Sequence, residues 1–307
     1  MPFILYGYMH ILKMRSNPFL PLGNFNYRCY SLLIAGLLFS IIPLGAKENT
    51  KRIVSLSGSL TEIIYSLGAQ NLLVGTDTTS YFPEQANQLP KVGYQRSLSL
   101  EGILSLKPDL VLGTEEAGPP ETLDRLKKLG IKVLIHDSKP GLQSTLDRIQ
   151  LIGETIGETK VAQEIIDRIH KNVITLQKNT PWKIKPKVLM VFSRGRNMIV
   201  VAGKETSGSA MIELAGAENY ISEFSGFKPL TPEILLKNKM DVILLTDMSL
   251  KALGGKKEFW KLPGFQAIPE SKRPNIITMD DLLLLGFSSR LDSALEELQI
   301  KIKKSSK

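Results

Sequence analysis

SLEGILSLKPDLVLGT, residues 99–114, sets the architecture of this chain. Leu100 to Leu106 has helical spacing, Pro108 stops it, and Asp109 to Gly113 is the short continuous apolar run of a strand covered on both faces. TPEILLKNKMDVILLT, residues 231–246, lies over this stretch at a constant offset of 132, pairing Glu101 with Glu233 and Asp109 with Asp241. Likewise LTEIIYSLGAQN (60–71) resembles GSAMIELAGAEN (208–219), with Gly68-Ala69 set against Gly216-Ala217. A duplicated lobe is the economical explanation.

Around these anchors, strand, loop and helix alternate. Arg52 to Leu56 (RIVSL) reads as a strand, Ser57 to Ser59 as a turn and Leu60 to Leu67 as a helix. Leu72 to Gly75 and Ile131 to Ile135 add strands, and Glu121 to Leu129 a helix stopped by Gly130. The second half has strands at Lys187 to Phe192 and Asp241 to Thr246 and helices at Gly208 to Leu214 and Ile234 to Leu236. Glu158 to Gln177 places Val161, Ile165, Ile169 and Val173 on one face of a helix long enough to link two lobes. The expected fold is α/β: two parallel-sheet lobes joined by one long helix, with a ligand cleft facing the carboxyl ends of the strands. The boundaries are a leader at 1–46, a first lobe at 51–156, the linking helix at 157–180 and a second lobe at 181–307.

Composition narrows the function classes. With 307 residues, 43% hydrophobic and 22% charged, the chain is neither disordered nor a polytopic membrane protein. The single cysteine, Cys29, excludes an internal disulfide and a thiolate zinc or iron–sulfur site. Ser31 to Gly45 is an apolar run downstream of Arg28 and upstream of Ala46 and a polar stretch, which is the layout of a secretory signal cleaved near Ala46. It falls short of the roughly 20 apolar residues of a comfortable membrane span. Without residues 1–46 the formal charge falls from +9 to +6, because Lys13, Arg15 and Arg28 are removed with no acid. The remaining bases are interleaved with acids, so a solvated basic surface is expected and no nucleic-acid partner. An exported chain without cysteine, about 260 residues long, with no stable membrane insertion, follows.

IVSLSGSLTEIIYSLG, the SLEGILSLKPDLVL block and the helix at 158–177 resemble the helix-linked periplasmic substrate-binding proteins of ABC importers, which serve vitamin B12, siderophores and haem. The resemblance covers nearly all of 51–300. It is narrowest to the haem binders, through LLVGTDTTSYFP (72–83), LPKVGYQRSLSLEGILSLKPDLVL (89–112), VAGKETSGSAMIELAGAENY (201–220) and MDDLLLLGFSSR (279–290). It implies a periplasmic protein of iron uptake that captures haem and hands it to a permease, with a ferric siderophore or cobalamin binder as the alternative.

The resemblance directs attention to Tyr94 in VGYQR, on a loop before the helix that starts near Ser99. A phenolate oxygen is a suitable axial ligand for ferric haem iron, and a phenol of pKa about 10 needs a nearby cation to ionise. Arg96 is two residues on; in an extended segment it points to the same side as Tyr94, and haem binders are similar in using such a Tyr-x-Arg pair. An exposed loop tyrosine beside a surface arginine is the bland alternative. In the second lobe Arg194 and Arg196 follow the Lys187 to Phe192 strand, in a loop expected to face the cleft, where either guanidinium suits a haem propionate. Arg194 stands where some haem binders offer a histidine, which implies five-coordinate or water-completed iron. Thr78, Thr79, Ser80 and Tyr81 line the rim of the first lobe or form an ordinary turn. Glu101 and Glu233 complement helix starts or, by the resemblance, dock arginines of the permease.

The other chemistries are poorly served. His10 is in the leader, His136 reads as a solvated loop residue and His170 as a helix-surface residue, so no histidine-rich metal site forms. No GxGxxG follows the first strand, and neither a GxxxxGK[ST] nor a GxSxG motif occurs, which leaves an enzyme without phosphate cradle or activated nucleophile.

Overall fold

A computed structural model describes residues 51–236 and 239–305. The leader at 1–46, with its apolar run, Cys29, His10 and expected cleavage site, lies outside the described residues.

The first lobe comprises β1 (Ile53–Ser55), α1 (Gly58–Ser66), β2 (Leu73–Thr76), β3 (Gly93–Tyr94), β4 (Ser97–Leu98), α2 (Leu100–Ser105), β5 (Leu110–Thr114), α3 (Pro120–Lys128), β6 (Lys132–His136) and α4 (Leu142–Ile156). Its sheet has the order β2-β1-β5-β6 and is parallel throughout. Every residue of β1 and β5 is buried, as expected of central strands covered by helices on both faces.

The linking helix α5 (Thr159–Lys178) leads to β7 (Lys187–Ser193), β8 (Ile199–Ala202), α6 (Ser207–Leu214), β9 (Glu218–Asn219), β10 (Phe227–Pro229), α7 (Pro232–Leu236), β11 (Val242–Thr246), α8 (Asp247–Ala252), α9 (Lys256–Phe259), β12 (Asn275–Met279), α10 (Asp281–Leu285) and α11 (Leu291–Ser305). The second sheet runs β10-β8-β7-β11-β12, with β9 beside the start of β7. Here the purely parallel expectation needs amendment, because β8 runs antiparallel to both β7 and β10. The cause is local. Gly195 takes a φ of +126°, Met198 N donates to Gly195 O at 3.1 Å, and the chain turns straight back into a hairpin instead of crossing over.

The repeat in the letters is also a repeat in bonding. Asp109 accepts the backbone N–H of Arg52 at 2.8 Å, and Asp241, its counterpart, accepts that of Lys187 at 2.9 Å. Each carboxylate thereby pins the start of the first strand in its lobe. Gly68 and Gly216 end equivalent helices at φ of +74° and +80°, a conformation that disfavours any residue with a Cβ.

α5 buries Ala162, Ile165, Ile169 and Val173, and Val161 is half-buried and packs against the same cluster. These side chains belong to one apolar cluster with Ile53 and Leu112 of the first lobe and Val188, Met190 and Leu244 of the second. Lobes that share a core around a helix resist the free hinging of lobes tied by a bare linker.

Candidate ligand cleft

The carboxyl ends of the two sheets meet. The segment after β2 carries Tyr81, whose hydroxyl donates to Asp280 Oδ2 at 3.0 Å, in the residues after β12, and accepts from Leu282 N at 2.8 Å. Nearby, Glu62 on α1 is buried and bonded to Ser288 and Arg290. Arg148 on α4 donates to Phe287 O at 3.0 Å. The segment MDDLLLLGFSSR thus forms the seam between the lobes. In open α/β sheets ligands bind outside the carboxyl ends of the strands, which makes the loops beside this seam the candidate ligand cleft.

On the first-lobe wall, β3 and β4 form a small antiparallel hairpin in which Tyr94 faces Ser97. Gln95 and Arg96 are therefore its turn, not the extended segment expected from i and i+2 spacing. Arg96 turns to Glu116, at 2.6 Å, and Gln95 donates to the other oxygen of that carboxylate at 3.0 Å. The Tyr94 ring is 41% exposed. Its hydroxyl has no hydrogen-bond partner among the described residues.

The rim residues of TDTTSYFP divide differently from the expectation. Ser80 is fully buried, with its hydroxyl on Asp77 Oδ1 at 2.7 Å and on Thr61 at 2.8 Å, so it holds the loop and offers nothing to a ligand. Thr79 donates to Asp77 Oδ2 at 2.7 Å and accepts Gly58 N at 3.0 Å, while Thr78 is exposed. Tyr81 is committed to the seam, and burial, aided by the adjacent Asp280, pushes its phenol well above the usual value and keeps it neutral. Lys91 closes the same loop through Thr76 Oγ1, Ser80 O and Ala86 O at 2.6 to 2.9 Å. Its role was invisible in the sequence, because the three acceptors are brought together only by the fold.

On the second-lobe wall, Arg194 and Arg196 sit in the β7–β8 turn and have different tasks. Arg196 is paired with Glu258. Arg194 is exposed and makes no close ion pair among the described residues; its guanidinium lies 5.1 Å from the ring centroid of Phe192, and its charge reaches the Asp281 carboxyl. Asp281 accepts Met248 N at 3.1 Å, and burial pushes its carboxyl upward against the pull of Thr246 and Arg194.

His136 corrects an expectation, since it is 3% exposed rather than solvated, and neither ring nitrogen has a hydrogen-bond partner. Burial, reinforced by Arg148, lowers its pKa, so it is a neutral packing residue. His170 is exposed on α5. Among the described residues no cluster of three or more His, Cys, Asp or Glu is placed to hold a metal. Glu101 and Glu233 are both exposed in the first turns of α2 and α7. The hydrogen bond from Thr231 holds the Glu233 carboxyl below the usual range, so it presents a full negative charge.

Residues 53–283 match the family model described as periplasmic binding protein. Among solved structures, the chain is 36% identical to the apo periplasmic heme-binding protein RhuT from Roseiflexus sp. RS-1, with a TM-score of 0.80 over 84% of this chain and 99% of that one. Among curated relatives it is 30% identical to the uncharacterized ABC transporter substrate-binding lipoprotein YvrC of Bacillus subtilis, over 82% of this chain and 80% of that protein. A vitamin B12-binding protein of Yersinia pestis is 29% identical over 62% of this chain and 66% of its own length. Among the described residues no helix is long and apolar enough to cross a membrane. The alternative of an enzyme gives way to a non-catalytic transport component, because the chain belongs to the periplasmic binding protein family.

Proposed function

We propose that this protein captures ferric haem (hemin) in the cleft and delivers it to an ABC import permease, Tyr94 supplying the iron ligand. The observation that carries the reading is the contrast between two tyrosines at the first-lobe end of the cleft. Tyr81 is bonded on both sides of its oxygen and held neutral, whereas Tyr94 stands exposed with a free hydroxyl at the tip of a hairpin. The likeness to a haem-binding protein over almost all of that protein's length supports the same ligand class.

Binding replaces the phenolic proton by iron, a hard Lewis acid that suits a phenolate oxygen. Arg96 is within the same two-residue turn, and rotation from Glu116 toward the Tyr94 oxygen lets it stabilise the phenolate. Arg194 is the cation left for a propionate, while Arg196 neutralises Glu258. Glu101 and Glu233 offer one exposed carboxylate per lobe, at repeat-related positions, to a two-subunit permease. The leader directs the chain to the periplasm and is removed near Ala46.

Titration with hemin, followed by visible spectroscopy, tests the reading. The expected product is a high-spin ferric tyrosinate spectrum that is lost in Tyr94→Ala. An unchanged spectrum in that variant refutes the ligand, and saturable uptake of cyanocobalamin or a ferric siderophore with none of hemin refutes the substrate.

A further inference from the structure

We infer that the cleft reads the tetrapyrrole ring independently of its metal, so that iron-free porphyrin dicarboxylates are also ligands of this protein. This deepens the haem reading of the same cleft and rests on it. The second-lobe wall provides the observation. Phe192, next to the cleft end of β7, and Phe227, on the edge strand β10, lie with ring centroids 6.1 Å apart at 53°. Phe227 is in register with Ala202, which Gly208 in the first turn of α6 abuts together with Met190, and it stays exposed because β10 is the edge strand. The Phe227 ring is left 45% exposed, and Met198 and Met248, in the neighbouring loops at the carboxyl ends of β7 and β11, are 52% and 51% exposed.

Of these apolar groups, Met248 is tied to the seam. Met248 N is held by Asp281, the residue next to the Asp280 that takes the Tyr81 hydroxyl. An exposed apolar surface at the mouth of a cleft marks a place where a ligand supplies the missing cover. Aromatic rings accept a flat π-system by offset or edge contacts, and thioethers adapt their shape to it. Beside them Arg194 lies over the Phe192 ring with no close ion pair among the described residues, which suits a ligand that is flat and apolar in the middle and anionic at its margin. Neither phenylalanine addresses iron, although a thioether can. Tyr94 does so from the opposite lobe, so the binding free energy separates into a metal part on the first lobe and a ring part on the second.

The test titrates the full exported chain with hemin and with iron-free protoporphyrin IX, read by the absorbance and fluorescence of the porphyrin. Protoporphyrin IX is expected to bind saturably, and Tyr94→Phe to weaken hemin while sparing protoporphyrin IX. Phe227→Ala is expected to weaken both by about tenfold. Phe227 is a half-exposed edge-strand residue; Met248→Ser, on a different element, repeats the test should Phe227→Ala fold poorly. Hemin binding without protoporphyrin IX binding overturns this inference and leaves the haem reading intact, as does protoporphyrin IX binding that both second-lobe variants leave unchanged. Failure of hemin itself to bind overturns both.

Discussion

The guanidinium carbon of Arg290 lies 3.5 Å from the ring centroid of Phe82, while the same side chain holds the buried carboxylate of Glu62. One arginine of the second lobe thus grips the first lobe twice, by charge and by stacking on a ring. Burial pushes the Glu62 carboxyl upward, and the bonds from Arg290 and Ser288 pull it back.

Arg290→Ala is expected to destabilise the protein by about 2–4 kcal/mol, because it leaves a buried carboxylate without its cation. Urea unfolding measures the loss. Glu62→Gln in the same background is expected to recover part of it, since no uncompensated charge then remains; no recovery argues that the arginine acts through packing on Phe82 alone.

Tyr81→Phe removes the bond to Asp280 and leaves Leu282 N without its acceptor. The expected cost is about 1–3 kcal/mol. Hemin should still give its tyrosinate spectrum in this variant, which separates a seam residue from a ligand residue.

Arg96 is paired with Glu116 at 2.6 Å, so in the proposed haem site Glu116 would compete with a Tyr94 phenolate for it. Glu116→Gln is expected to release the guanidinium and strengthen hemin binding several-fold, and Arg96→Ala to weaken it and shift the tyrosinate band. Parallel titrations of the two variants check both directions.

His136 governs one window of acid stability. Its pKa lies below the usual 6.5 in the folded protein, so as pH falls below about 6.5 the unfolded chain takes up a proton that the folded one refuses. Stability should therefore decline with falling pH in that window, until the folded-state pKa is passed. His136→Leu should remove that portion of the slope in unfolding curves recorded between pH 7 and pH 5.

Glu101→Lys and Glu233→Lys are expected to leave hemin titration unchanged and to reduce hemin-dependent ATP hydrolysis by the reconstituted permease. Equal transport by the double variant removes both glutamates from the docking surface.

The sequence by itself determined the elements, their duplication and the family. Apolar runs such as Leu110 to Thr114 are short and continuous, Asp109 and Asp241 recur at one offset, and α5 shows its buried face as a period in the letters. These are properties of neighbours along the chain, which periodicity reports directly. The long-range partners were decided by the tertiary structure alone. It sent Arg96 to Glu116, buried Ser80, tied Tyr81 to Asp280 and enclosed His136, because each of these depends on which distant strand end or helix arrives opposite the residue. A tyrosine in a loop reads the same in the letters whether its oxygen is taken or free, and only the fold separates Tyr81 from Tyr94.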